Sequence, residues 1–304
     1  MYVFKEYLGR YFHMKDLGPL KYFLGIEVAR GPLGISMCQR KYVLDILNET
    51  GLLGAKPVSF PLDQNHRLAI STSEILSDPE PYRRLVGHLI YLLATRPDIT
   101  YSVHILSQFM HEPRRDHWDA ALRLVRYLKN NPGQGILLHS NSELRLSGWC
   151  DSDWAGCPRT RKSLSGWIVQ FDHSLVSWKT KRQQTISLSF AKAEYQALAV
   201  LTCELLWFKG LLSFLGVEHT TPMTAHSDSQ SALQLVANDV FHERTKHIEV
   251  DCHFLRHHLS NRNIITRHVP TGDQLADIFT KALGKKEFHR FLLKLGIHDI
   301  YART

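Results

Sequence analysis

The sequence of 304 residues lacks most of the signatures that would assign a function quickly. Its greasiest stretch, residues 198–215, is broken by Glu204 and Lys209, short of the ~18 uninterrupted apolar residues of a membrane span, so no membrane partner is expected. Residues 1–10 carry Lys5, Glu6 and Arg10 and have no apolar signal-peptide centre. Cys38, Cys150, Cys157, Cys203 and Cys252 form no Cys-x-x-Cys pair, and five cysteines fit no complete disulfide framework. An intracellular compartment, cytoplasmic or nuclear, is therefore expected. No Walker A or Gly-x-Gly-x-x-Gly pattern supports a small-molecule nucleotide cofactor, and no Gly-x-Ser-x-Gly elbow supports Ser-His-Asp catalysis. There is no internal repeat.

What is present is ordinary globular composition, 44% apolar and 22% charged, on a chain long enough for about two domains. Lys and Arg total 37 against 29 Asp and Glu, a net charge of +8 that is spread over both halves and favours a polyanionic partner. Residues 20–28 and 35–38 read as a hairpin around Gly31-Pro32-Leu33-Gly34. Helices are expected over residues 41–52, 82–93 and 116–129, and Asn130-Asn131-Pro132-Gly133 marks a boundary. Beyond it the pattern changes. Residues 144–150, 165–170 and 175–179 read as strands, 190–215 as a long helix, and 223–227 as a strand. A helix over 229–237, another over 247–259, a strand over 264–268 and a helix over 273–282 follow. Strands first, then alternating helix and strand, imply one mixed α/β sheet covered by helices.

Four acids fall at informative places in this pattern. Asp151 and Asp228 follow strands, while Glu194 and Asp277 sit in early turns of helices. Carboxylates converging from strand ends and flanking helices suit hard divalent cations, and two such ions can drive phosphodiester hydrolysis. Asp153 is a rival to Asp151, because two residues apart on a strand they leave on the same side. Asp228 could instead simply cap the next helix.

The chain resembles the C-terminal part of a copia-type LTR-retrotransposon Pol polyprotein, the end of reverse transcriptase followed by ribonuclease H. The resemblance rests on an ordered set: Lys15-Asp-Leu-Gly-Pro-Leu-Lys-Tyr-Phe-Leu-Gly-Ile-Glu-Val28, Tyr82-Arg-Arg-Leu-Val-Gly-His-Leu-Ile-Tyr91, Arg96-Pro-Asp-Ile99, residues 121–129, Cys150-Asp-Ser-Asp-Trp-Ala-Gly156, Ala193-Glu-Tyr195, Ser227-Asp-Ser-Gln-Ser-Ala232, Arg244-Thr-Lys-His-Ile248 and Gln274-Leu-Ala-Asp-Ile-Phe-Thr-Lys281. It implies a primer-grip-like hairpin and start of the thumb over residues 1–57 and thumb and connection helices over 58–139. A ribonuclease H-like mixed five-stranded sheet with flanking helices is implied over 140–284, then a C-terminal helix or tail over 285–304.

The resemblance further implies that Asp151, Glu194, Asp228 and Asp277 are catalytic and hold two Mg²⁺ ions, with Mn²⁺ as a substitute. The expected activity is endonucleolytic hydrolysis of the RNA strand of RNA/DNA hybrids; the alternative is an inactive nucleic-acid-binding remnant. No two aspartates are adjacent anywhere, so the family's polymerase signature is missing and no DNA synthesis is expected. Where the family has Ser-Ser-Thr-Glu-Ala-Glu-Tyr, this chain reads Ser189-Phe-Ala-Lys-Ala-Glu-Tyr195. Lys192 replaces an acid there and, two positions before Glu194 on a helix, should face away from it. Arg161, Lys162, Lys179, Lys181 and Arg182 form a basic region suited to phosphate contact, and Arg244, Lys246 and His247 are further candidates for nucleic-acid binding. His247 and Asp251 stand one helical turn apart, a zinc-like spacing, but no His or Cys pair follows at finger spacing.

Overall fold

The computed structural model describes residues 2–15, 17–237, 246–299 and 301, in two five-stranded sheets. With strands numbered along the chain, the first sheet is antiparallel throughout. Its order is β1 (Tyr22–Phe23), β2 (Ile26–Gly31), β3 (Gly34–Cys38), β4 (Gln134–His139) and β10 (His298–Asp299). Helix α1 (Tyr2–Tyr11) is almost wholly exposed. Helices α2 (Arg40–Glu49), α3 (Glu80–Leu92), α4 (Thr100–Ser107), α5 (Arg115–Asn130) and α9 (Lys285–Lys294) share an apolar core that includes Leu47, Leu89, Leu124, Phe288 and Phe291.

The second sheet is the expected mixed one. Strands β5 (Leu146–Asp153), β6 (Leu164–Phe171) and β7 (Ser174–Arg182) are antiparallel neighbours, while β8 (Met223–Ser227) and β9 (Ile264–His268) run parallel to β5, giving the order β7-β6-β5-β8-β9. The pleat sends alternate β6 residues to opposite faces. Trp167 and Val169 pack with Leu198 and Leu201 of α6 (Phe190–Phe214), near α7 (Gln230–Ala237) and α8 (Lys246–Ser260). Ile168 instead joins the core of the N-terminal helices, with Leu175, Ile278 and Phe279. The second sheet is thus covered on both faces, one of them by residues from the first 130 positions. Trp178 Nε1 donates to the Leu93 carbonyl at 3.0 Å across this junction.

Four expectations need correction. The single strand over residues 20–28 is two, because Leu24 and Gly25 both take positive φ (48° and 78°) and turn β1 back onto β2. The first strand of the second sheet does not end before Asp151; it continues through Asp153, with Asp151 opposite Gly166. The helix over 273–282 is instead a pair of short 3₁₀ turns, Thr271–Asp273 and Leu275–Phe279. Extended Gln274 separates them, its side chain capping the Ala276 N–H, and the Thr280 backbone N–H donates to the Asp277 carbonyl three residues back at 3.1 Å, the tighter 3₁₀ pattern that runs only in short pieces. Finally, α6 is long and apolar enough to cross a membrane by length and composition despite Glu204 and Lys209. Its N-terminal half is a core helix: Ala193, Leu198, Leu201 and Leu205 are buried on the sheet, and Glu204 accepts a hydrogen bond from Ser177 of β7.

Candidate metal centre

The side chains of Asp151, Glu194 and Asp228 meet at the middle of the second sheet, with one carboxylate oxygen from each lying within 4.8 Å of the others. Parallel pairing of β5 and β8 brings the first and third acids together. Glu194 arrives from α6, whose start is set by Ser189, an N-cap accepting the Lys192 N–H. Glu194 Oε1 accepts the Ser152 N–H at 3.1 Å. Its Oε2 and Asp228 Oδ1 are buried without a hydrogen-bond donor. Such oxygens are costly unless a cation or donor satisfies them, and hard divalent ions prefer carboxylate oxygen. The trio therefore fits a divalent metal, by the chemistry of its donors and by the two orphaned atoms.

Asp277 reaches the same place from the 3₁₀ turn at Leu275–Phe279, but it is tied to Asp151 through a cation. Lys281 Nζ lies 2.8 Å from Asp277 Oδ1 and 3.3 Å from Asp151 Oδ1. The Thr280 hydroxyl donates to the other oxygen of Asp151. Gly166 lets this turn dock, since a Cβ there would lie 2.7 Å from both Phe279 Cβ and Thr280 Cγ2.

The electrostatics follow from burial and crowding. Burial, then the charges of Asp151 and Asp228, push Glu194 up to about 9. Burial and Asp151 likewise push Asp277 to about 7 against the pull of Lys281. Asp151 is raised by burial, with Lys281 and Thr280 opposing. Burial disfavours the Lys281 ammonium, but Asp151 and Asp277 outweigh it and hold its pKa above the ordinary lysine range. Acids that share a site repel, and a cation between them relieves both burial and repulsion.

Two side-chain amides position the elements that carry these acids. Buried Gln183 donates through Nε2 to the Ala193 carbonyl and to the Ser165 hydroxyl, both at 2.9 Å, with Ser152 Oγ of β5 3.3 Å away, which pins the start of α6 to the sheet. Gln274 donates to the Cys150 carbonyl at 2.9 Å and so holds the turn bearing Asp277 against β5. Lone glutamines give sequence reasoning little signal, although Gln274 opens one of the motifs quoted above.

Asp153 lies outside the trio. Its carboxylate covers Gly156, where a Cβ would sit 1.8 Å from Oδ2, and it lines a crevice with His66, Tyr101 and Cys157. Lys192 is half-buried in the first turn of α6. Of the basic candidates, Lys179 and Lys181 leave edge strand β7 exposed on one side, with Lys179 Nζ 5.9 Å from the Trp167 ring centroid. Arg182 is half-buried; Arg161 is exposed at a positive φ of 53°, and Lys162 is half-buried beside it. Arg244 lies outside the described residues, and Lys246 and His247 begin α8 without described side chains. Among the described residues no histidine or cysteine joins a cluster of potential metal ligands; His257 and His258 pair with Asn261 and Asn263.

The sequence profile of the reverse transcriptase (RNA-dependent DNA polymerase) family matches residues 1–64. A retrovirus-related Pol polyprotein from transposon RE1 of Arabidopsis thaliana is 42% identical over 290 residues, covering 95% of this chain and 20% of that protein. The chain belongs to the copia-type retrotransposon Pol family. The Pol polyprotein from transposon TNT 1-94 of Nicotiana tabacum is 33% identical over 96% of this chain and 22% of its own length. The chain thus spans about a fifth of the Pol polyproteins it matches. An uncharacterized mitochondrial protein of Arabidopsis thaliana is 44% identical over 66% of this chain and 83% of its own. Among solved structures, LC11-RNase H1 is similar over 49% of this chain and 99% of its own, at 15% identity and a TM-score of 0.35. The foamy viral protease-reverse transcriptase is similar over 82% of this chain and 37% of its own, at 10% identity and a TM-score of 0.46.

Proposed function

We propose that residues 140–284 of this copia-type Pol chain act as a ribonuclease H, hydrolysing the RNA strand of RNA/DNA hybrids with divalent metal ions. The observation that carries this reading is the pair of buried, unpartnered carboxylate oxygens, Glu194 Oε2 and Asp228 Oδ1, beside Asp151. When bound, Mg²⁺ or Mn²⁺ at Asp151, Glu194, Asp228 and Asp277 would activate a water and stabilise the leaving oxygen. The protein's own part is to hold these acids in place. Ser152, Gln183 and Gln274 fix the elements that carry them. Lys179, Lys181 and Arg182 would meet the phosphates of the duplex, together with Arg161, Lys162, Arg244, Lys246 and His247. Such contacts position without reading sequence, whereas 2′-hydroxyls tell RNA from DNA. With no adjacent aspartates in the sequence, DNA synthesis is not assigned to these residues.

The test is cleavage of a hybrid and of double-stranded DNA with millimolar Mg²⁺ or Mn²⁺. The hybrid RNA should be cut and the DNA left intact. Asp151→Asn should abolish cutting, whereas Asp153→Asn, whose carboxylate rests on Gly156, should keep most of it. A folded protein that binds the hybrid but never cuts it would instead identify a binding remnant. Equal loss in both variants would reassign the site.

A further inference from the structure

Lys281 is not among the acids that define the centre, yet it holds the middle of one side of it. Its ammonium is 3.3 Å from Asp151 and 2.8 Å from Asp277, both ion pairs, and its side chain is about one-third exposed. The placement is built rather than incidental. Asp277 and Lys281 are four residues apart, the Lys281 N–H donates to the Asp277 carbonyl at 3.0 Å, and the intervening Phe279 is fully buried against the sheet. Lys281 lines a small crevice together with Leu62, Tyr101 and Phe288. Among the described residues, no such cation is ion-paired on the opposite side of the centre. There the oxygens of Glu194 and Asp228 are the unpartnered ones.

From this asymmetry we infer that Lys281 is an internal counter-ion that occupies the Asp151–Asp277 side of the centre in the free protein, leaving room for only one divalent ion, at Asp151, Glu194 and Asp228. The inference rests on the metal-dependent reading above and adds an order of filling to it. A second ion gains access only when the ammonium swings out, and a phosphate oxygen of a bound nucleic acid is the partner chemically suited to receive it. Two like charges a few ångströms apart in a half-buried site repel strongly, so ammonium and second ion exclude each other. Lys281 is a positioning residue in this account; it selects how many ions the empty site takes.

The experiment is calorimetric titration of Mn²⁺ into the full chain at pH 7 without nucleic acid, for the wild type, Lys281→Met, Lys281→Gln and Lys281→Arg. The wild type and Lys281→Arg should bind one ion. Both uncharged variants should bind two, with second-ion affinity raised at least ~10-fold by loss of the nearby charge. Thermal melting identifies any variant that fails to fold, and the wild-type stoichiometry stands by itself. Two ions of similar affinity in the wild type would overturn the inference. So would one ion in every protein, which would leave the metal-dependent reading intact. No uptake by any folded protein would overturn both.

Discussion

Glu194 and Ser152 are joined across two elements: the helix carboxylate accepts the strand N–H at 3.1 Å, one residue beyond Asp151. Glu194 is thereby fixed through one oxygen, while the other stays buried and unpartnered. Glutamine has the same shape and can still accept the Ser152 bond. Glu194→Gln should therefore fold, melt at an equal or higher temperature than the wild type in chelator, and lose at least ~10-fold in Mn²⁺ affinity, since an acid removed from a repelling cluster relieves strain while deleting a ligand. Melting curves with and without Mn²⁺ check both halves.

The same acid gives a pH dependence whose sign can be worked out. Its folded pKa of about 9 lies above the ordinary value of 4.5, so between these values the folded protein binds a proton that the unfolded chain has released. Stability then falls as pH rises. In chelator, the wild-type melting temperature should drop from pH 5 to pH 9 more steeply than that of Glu194→Gln. Asp277 adds to the fall between its ordinary value of 3.8 and about 7. Saturating Mn²⁺ should flatten the wild-type profile, because the bound cation favours the ionised acids. Parallel slopes for the two proteins in chelator would contradict this account.

Away from the centre, Asp98 anchors a buried network in the first core. Arg96 donates to both its oxygens at 2.9 and 2.8 Å, and Tyr127 and Gln134 donate to Oδ2 at 2.7 and 2.8 Å. Both charged side chains are fully buried. Asp98→Ala strands the guanidinium and should cost about 3–5 kcal/mol in urea unfolding. A loss below ~1 kcal/mol would show that water enters and replaces the carboxylate.

Gly166→Ala should act at a distance on Asp277. The added methyl meets Phe279 and Thr280 at 2.7 Å, so the 3₁₀ turn must lift from the sheet. Overpacking of this kind costs about 1–3 kcal/mol. Mn²⁺ uptake should weaken along with thermal stability, whereas a change in stability alone would mean that the turn moves without carrying Asp277.

Some of this was legible in the sequence and some was not, for identifiable reasons. Strands β8 and β9 fall over the expected residues 223–227 and 264–268, and α6 begins just after its Ser189 cap. Position in the pattern suggested only that Asp151, Glu194, Asp228 and Asp277 could converge, and the resemblance made them a set; what the sequence hid is the form of the segment carrying Asp277, a turn shaped by the sheet it docks on through Gly166 and Gln274. Lys281 reads from spacing as an ordinary helical partner of Asp277; only the fold adds Asp151 on its other side. Strand β4 was missed because what makes Gln134–His139 a strand is pairing with β3, about a hundred residues earlier.

The first sheet ends with residues from the far end of the chain. His298 and Asp299 pair with β4, Asp299 accepts the Gly133 N–H, and Tyr301 reaches Glu27. A ribosome would release residues 20–40 long before the strand that closes their sheet exists. The intervening sheet, from β5 to β9, can assemble while the edge of β4 is still bare. Long-range closure of this kind is slow, and an open strand edge invites pairing with other chains. Synthesis of this chain therefore passes through a window in which the second sheet can assemble while the edge of the first is still open.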